Sequence, residues 1–252
     1  MIKLYQFPSS HFCEKVRWAL EYKRVAYRPV NLLPGFHLKP MRKLAPKSCV
    51  PVLVDEETIV QESSAIITYL DTKFPSPALT PHEPQAARMA LDWEHYLDEH
   101  IGVSLRLWFY HHALPDRDLG LRFLLQGATW PRSTLFKLVY PKVREKMLEY
   151  MNINADTARQ GEEQLLAALE RLDAALNGRA FLVKDSFSRA DLTACALLAP
   201  WCLPQEGQAI PKPLLETRNR LEGRRFYRWV RSIHDNYRQT ALQDRDRLAS
   251  TQ

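Results

Sequence analysis

A chain of 252 residues, 46% hydrophobic and 25% charged, is long enough to bury one large core or two smaller ones. It has no apolar run near the roughly 20 residues that span a bilayer, which excludes a helical membrane protein. Its net charge is +6, with basic residues gathered at 15–47 and 218–231; that is a solvated face or an attraction for an anionic small molecule, and no nucleic-acid motif accompanies it. The four cysteines, Cys13, Cys49, Cys195 and Cys202, lack metal-ligand spacing and read as reduced thiols. Nothing at the N-terminus reads as a signal peptide, so a cytoplasmic location is expected.

The alternating run Ile2 to Phe7 predicts a strand that Pro8 ends. A helix over about 13–23 follows, with Ser9, Ser10 and Cys13 at its start. A helix N-terminus exposes unpaired N–H groups and partial positive charge, so Ser9 or Ser10 can hydrogen-bond a thiolate there. The same geometry serves a plain serine cap. Val25 to Val30 predicts a second strand and 38–44 a short helix. Ser48 to Val54 is an apolar, β-branched strand, with Val50-Pro51 a candidate cis peptide. Residues 51–60 read as a hairpin, and a third helix begins at Glu62 and Ser63. Ser63 with its backbone N–H can hold a carboxylate while Glu62 pairs an ammonium, which suits the amino-acid end of a ligand; an ordinary cap has the same residues.

Four prolines in 75–84 mark a linker. Beyond it only helices are expected. Met89, Trp93, Tyr96, Leu97, Ile101, Leu105 and Trp108 repeat at helical spacing, predicting one helix over 85–112. The stretch 113–158 is too rich in apolar residues for disorder and reads as extra helices, a candidate lid. Ser188 and Asp191 form a capping box, with Phe187 stapled on Leu192, before the apolar helix 192–198. Phe226 to Tyr237 makes a last amphipathic helix, and the polar tail after 240 is expected to fray. His111-His112 is no metal site, since adjacent helix residues point to different faces.

Three blocks in this order, residues 9–20, Val50-Pro51-Val52-Leu53 and Glu62 to Leu70, resemble the glutathione transferase superfamily, nearer to its serine-type, theta/zeta-like and bacterial members than to the tyrosine type. The resemblance implies a thioredoxin-like α/β domain (1–74), a linker (75–84) and an all-helical domain (85–240). It implies a homodimer with a role in detoxification. It also implies a glutathione-dependent transferase, with glutathione as co-substrate, a small hydrophobic electrophile as the other substrate, and no metal. Ser10 would donate to the glutathione thiolate, with Ser9, Cys13 and Tyr5 as alternatives. Val50 would pair its backbone with the cysteinyl part, Pro51 would be cis, and Glu62 and Ser63 would hold the γ-glutamyl end. His37 or Lys47 would take the glycyl carboxylate. Cys49 stands where theta-like members often carry lysine, which sets the glycyl end apart. Ser10 also replaces the leading cysteine of glutaredoxin-like relatives, which counts against thiol-transferase chemistry. The electrophile site would lie between the domains, with Tyr96, Trp108, Phe109, Tyr110, His111 and His112 as candidates. Alternatives are a non-catalytic binding or regulatory protein, or a glutathione-dependent peroxidase, isomerase or dehalogenase.

Overall fold

The computed structural model describes residues 1–204, 208 and 210–242; the tail expected to fray lies outside the described residues from 243 onward. The first part runs β1 (Ile2–Gln6), α1 (His11–Tyr22), β2 (Tyr27–Asn31), α2 (Leu38–Leu44), β3 (Val52–Asp55), β4 (Thr58–Gln61) and α3 (Ser63–Lys73). The strands form one sheet in the order β2-β1-β3-β4, with β1 and β2 parallel and the other neighbours antiparallel. This is the α/β arrangement expected from the sequence.

The period-two alternation of the strands sorts side chains between the two faces. Ile2, Leu4 and Leu53 enter the large core with residues of α1 and α3. Tyr5, Val52 and Val54 face the other way, around Met41 of α2. Tyr5 is therefore a packing residue on the α2 face and does not line the cavity next to α1. Among the strand residues, parity alone turns Tyr5 away from the cavity.

The helical part opens with α4 (Pro84–Leu97), a six-residue π-helical stretch (Asp98–Val103) and α5 (Ser104–Ala113). The sequence predicts one uninterrupted helix here, and the π stretch is the difference. Gly102 lies within it, and a Cβ there would come 2.6 Å from the Phe12 ring. The missing side chain lets the first turn of α1 close on this helix. α6 (Arg117–Leu124) and α7 (Arg132–Tyr150) fill the stretch read as extra helices, and α8 (Ala155–Ala175) begins inside it. α6 and α7 gather their own small core, in which Leu33 joins Leu121, Leu124, Phe136 and Tyr140.

α9 (Arg189–Cys202) is buried along nearly its whole length, as its apolar sequence predicts, and α10 (Lys212–Leu221) and α11 (Arg225–Ile233) follow it. Its start is the expected capping box: Asp191 accepts from the Ser188 N–H at 2.9 Å, the Ser188 hydroxyl at 2.9 Å and the Leu182 N–H at 2.8 Å. Burial pushes the Asp191 carboxyl up to about 6, against those three donors. Phe187 stacks on Tyr237 at 4.3 Å.

A buried ionic network joins the two parts. Lys15 of α1 pairs with Glu94 at 2.7 Å and with Asp98 at 2.8 Å, and Arg189 pairs with Glu94 at 2.6 Å. The Ser64 hydroxyl of α3 donates to Asp98 at 2.9 Å, and Arg189 donates to the Ser64 carbonyl at 2.9 Å. Such pairs fix geometry more than they add stability, because each ion has lost its hydration.

Candidate active site

The chain leaves β1 at Gln6 and enters α1 at His11, so the connection Phe7-Pro8-Ser9-Ser10 sits at a positive helix end. Ser10 is the N-cap: its side chain accepts from the Cys13 N–H at 3.3 Å. The capping reading and the thiolate reading are compatible. A hydroxyl has two acceptor lone pairs and one O–H, so Ser10 can accept from the helix and still donate outward. The first-turn acid Glu14 does not cancel the positive end, because Arg17 and Arg238 each bind it at 2.7 Å.

Ser9, Ser10 and His11 line a cavity of about 800 Å³. One wall is the sheet part, with Phe7, His37 and Val50. The facing wall is helical, with Leu105, Arg106, Phe109, Tyr110 and Trp201. α7 contributes Val139, Val143 and Met147, so the extra helical segment forms part of the enclosure. Its lining is mostly apolar, suited to a hydrophobic ligand.

The other sequence candidates fall at different places. Cys13 is fully buried beneath Ser10, and burial pushes its thiol up despite the nearby Arg17; it does not line the cavity. A buried neutral thiol is a poor nucleophile. His37 lines the cavity with its ring edge-on to Phe7 at 4.8 Å, and burial lowers its pKa against contacts with the Leu33 and Ser48 carbonyls. Being neutral at pH 7, it offers a carboxylate a hydrogen bond rather than a charge. Val50 lines the cavity one residue before the cis Val50-Pro51 partner, and the sheet ladder begins only at Val52. Its peptide groups therefore lie beyond the last paired residue, where an extended ligand can add to the sheet.

Glu62 and Ser63 lie at the start of α3, outside the cavity lining. Glu62 adopts φ +79°, a left-handed conformation that costs a non-glycine residue about 1–3 kcal/mol. Its carboxylate pairs with Lys47 at 2.5 Å on the surface. The Gln61 side chain bonds the Lys47 N–H at 3.0 Å, the Lys47 carbonyl at 2.8 Å and the Cys49 carbonyl at 2.9 Å. Gln61 thus clamps the loop that carries Val50 to the strand that leads to Glu62. It escapes a sequence reading because it is one polar residue at a strand end.

Of the aromatic candidates, Phe109 and Tyr110 line the cavity. Trp108 is core, with its ring 6.2 Å from that of Trp201, and Tyr96 lies under the Arg171 guanidinium at 3.9 Å; His111 and His112 do not line the cavity either. Among the described residues, no cluster of His, Cys, Asp or Glu could hold a metal ion, and no helix is long and apolar enough to cross a membrane. Arg106 and His11, neither a site candidate from the sequence, also line the cavity. Arg106 lies over the Phe12 ring at 5.9 Å. His11 is pushed down to about 3, by burial first and the Arg106 charge second.

Residues 4–78 match the family model described as glutathione S-transferase, N-terminal domain, and residues 131–214 match the one described as glutathione S-transferase, C-terminal domain. The chain belongs to the glutathione S-transferase superfamily. Glutathione S-transferase Z1 of Arabidopsis thaliana is 41% identical over 85 residues, which is 32% of this chain and 38% of that protein. The chain thus spans well under half the length of that curated relative. Tetrachloro-P-hydroquinone reductive dehalogenase of Sphingobium chlorophenolicum is 28% identical over 211 residues, covering 79% of this chain and 82% of that protein. The crystal structure of glutathione transferase F2 from Populus trichocarpa has a TM-score of 0.65 at 22% identity, covering 98% of this chain and 99% of that one, a likeness of fold.

Proposed function

We propose that this protein is a glutathione transferase that joins the glutathione thiolate to a small hydrophobic electrophile. The observation that carries the reading is the Ser10 hydroxyl, fixed as the cap of α1 on the wall of a mostly apolar cavity of about 800 Å³. On this reading glutathione lies extended along the sheet part, pairing its backbone at Val50. Glu62 and Ser63 take its γ-glutamyl end, and His37 its glycyl end. Ser10 donates to the sulfur, and the positive helix end lowers the thiol pKa, so thiolate is present near neutral pH. The apolar wall holds the electrophile against it, and proximity supplies much of the rate. Cys13 has no part in the chemistry.

Calorimetry with glutathione on wild type and on Ser63→Ala tests the binding half. Wild-type binding weakened about tenfold in the variant is expected for a lost hydrogen bond to a charged group. No binding by the wild type would sink the reading in favour of a non-catalytic member of the fold. The thiol titration of bound glutathione, followed by thiolate absorbance, tests the other half: Ser10→Ala should raise the midpoint, and an unmoved midpoint would remove Ser10 from the role.

A further inference from the structure

The charges around the cavity are lopsided. Five charged side chains line it among the described residues: Arg42, Arg106, Lys142, Lys146 and Glu149. Glu149 is spoken for, since it pairs with Lys146 at 2.5 Å. Arg42, Lys142 and Lys146 are exposed, while Arg106 is half-buried. The first three therefore sit in solvent, which screens them, and Arg106 sits among Leu105, Phe109, Phe12 and Tyr110 on the helical wall.

Among the described residues Arg106 pairs with no carboxylate. The contact that balances it is the face of Phe12, 5.9 Å away. Its Nε is buried with no hydrogen-bond partner. Burial lowers its pKa, and only the neighbouring Tyr110 opposes that, while its charge in turn helps to hold His11 neutral. Guanidinium ions in low-dielectric surroundings are ordinarily paired, because an unpaired one loses hydration with no return. Three buried cations here follow that rule: Lys15 has Glu94 and Asp98, Arg189 has Glu94, and Arg238 has Glu14 and Glu21. Among the described residues Arg144 and Arg218 share with Arg106 a buried, unpartnered Nε and the lack of a carboxylate pair, but of the three Arg106 alone stands on the wall of the cavity.

We propose that Arg106 is an anion anchor and that the electrophile this cavity prefers carries a carboxylate. The inference rests on the transferase reading and names its substrate class. The carboxylate would take the planar guanidinium in a paired hydrogen bond, its apolar body would lie on Phe109 and Tyr110, and its electrophilic carbon would point to the sulfur held at Ser10. With an aryl halide as probe, the carbon–sulfur bond forms at the halogen-bearing ring carbon, and the carbon–halogen bond breaks. Halide leaves with the bonding pair, and the thiol proton has gone to solvent beforehand.

The test compares 4-chloro-3,5-dinitrobenzoate with its methyl ester, which keeps the shape and loses the charge. Each kcat/KM is divided by the rate with free glutathione. The wild type should favour the acid at least about tenfold, the low end for a charge-assisted pair, with the preference held in KM. Arg106→Leu should bring the acid-to-ester ratio to about one, and Arg106→Lys should keep part of it. A wild-type ratio of one, or a ratio that survives Arg106→Leu, overturns the anchor. Loss of both substrates together, with the bound thiol titrating at higher pH, places Arg106 on the thiolate and overturns it as well. If the wild type turns over neither probe, calorimetry with unreactive 3,5-dinitrobenzoate decides. Binding weakened at least about tenfold by Arg106→Leu keeps the anchor while the transferase reading fails, and no binding rejects the anchor. Melting curves confirm that each variant is folded.

Discussion

Among the described residues two helices carry a serine at the N-cap, and the caps have opposite fates. Ser10 caps α1 and faces a cavity; Ser188 caps α9 and is fully buried. Both satisfy backbone donors that a helix leaves open. At α9 the job is closed off: Asp191 collects three donors, Arg189 ties the same turn to Glu94, and both Ser188 and Asp191 are fully buried. At α1 the cap uses one acceptor lone pair of the hydroxyl, whose O–H lies by the Cys13 thiol on the cavity wall and on the proposed reading turns to the glutathione sulfur. The lesson is that a cap motif alone does not separate structure from chemistry. What separates them is whether open space and unmatched positive charge lie beyond it.

The larger loss of stability falls at the sealed end. Asp191→Ala leaves the Leu182 and Ser188 N–H groups buried without acceptors, a loss of about 3–5 kcal/mol. For a chain of this size that lowers the melting temperature by roughly 10 °C, measured by calorimetry or circular dichroism. A shift under about 2 °C would mean that the box is not what holds α9.

At the open end the damage should fall on turnover instead. Ser10→Ala removes a cap, costing about 1 kcal/mol of stability. On the proposed reading it also removes a preorganised donor to the reacting sulfur, and kcat should fall about 10- to 100-fold with 1-chloro-2,4-dinitrobenzene. If kcat holds and only the melting temperature moves, Ser10 is as structural as Ser188.

Acid sharpens the contrast, because the two ends titrate with opposite signs. Asp191 has its pKa raised from 3.8 to about 6, so the folded form binds the proton more tightly. Its contribution favours the fold below pH 4 and is lost as pH rises through 6. His11, beside the open cap, is lowered from 6.5 to about 3, so the folded form sheds the proton. Its contribution is complete above pH 6.5 and drains away as pH falls toward 3. Between pH 6.5 and 4.5 the two oppose each other. His11→Gln should therefore lose less stability than wild type over that interval, by about 2 kcal/mol after allowance for its partial exposure. Asp191→Asn should lose more than wild type. Urea midpoints at the two pH values read the difference, and parallel curves for His11→Gln and wild type would contradict the assignment.

Sequence reading reached the elements that local rules dictate. Alternation in Ile2 to Gln6, the box at Ser188 and Asp191, and the apolar run of α9 each carry their structure within a few residues. Of the residues expected from backbone and caps, Ser10 and Val50 lie on the cavity wall, while Glu62 lies at the start of α3 outside it. The site was illegible where one helix chooses among its own side chains. Phe109 and Trp108 are neighbours on α5, one at the cavity and one in the core, and periodicity could not say which face met what. Arg106 carries no signal in the sequence, and its lack of a carboxylate partner is visible only once the carboxylates are seen to be elsewhere. Gly102 did leave a trace, since a lone glycine inside a helical pattern signals a close approach, here that of Phe12.

The smallest effect belongs to the ion pair that looks most prominent near the proposed glutathione end. Lys47 and Glu62 are both exposed, so solvent screens their attraction, and surface pairs of this kind add little to stability. Lys47→Ala should leave the melting temperature unchanged. Its effect on glutathione affinity discriminates between two roles for the lysine. If Lys47 only rests on Glu62 until an ammonium displaces it, affinity should stay within about threefold, because one exposed pair is exchanged for another. If Lys47 holds the glycyl carboxylate, affinity should drop by about tenfold or more, as for any charge-assisted contact removed. The geometry favours the first outcome, since the ammonium already lies on Glu62 while His37 occupies the cavity wall. A tenfold loss measured by calorimetry would transfer the glycyl end from His37 to Lys47 and leave Ser10 as it is.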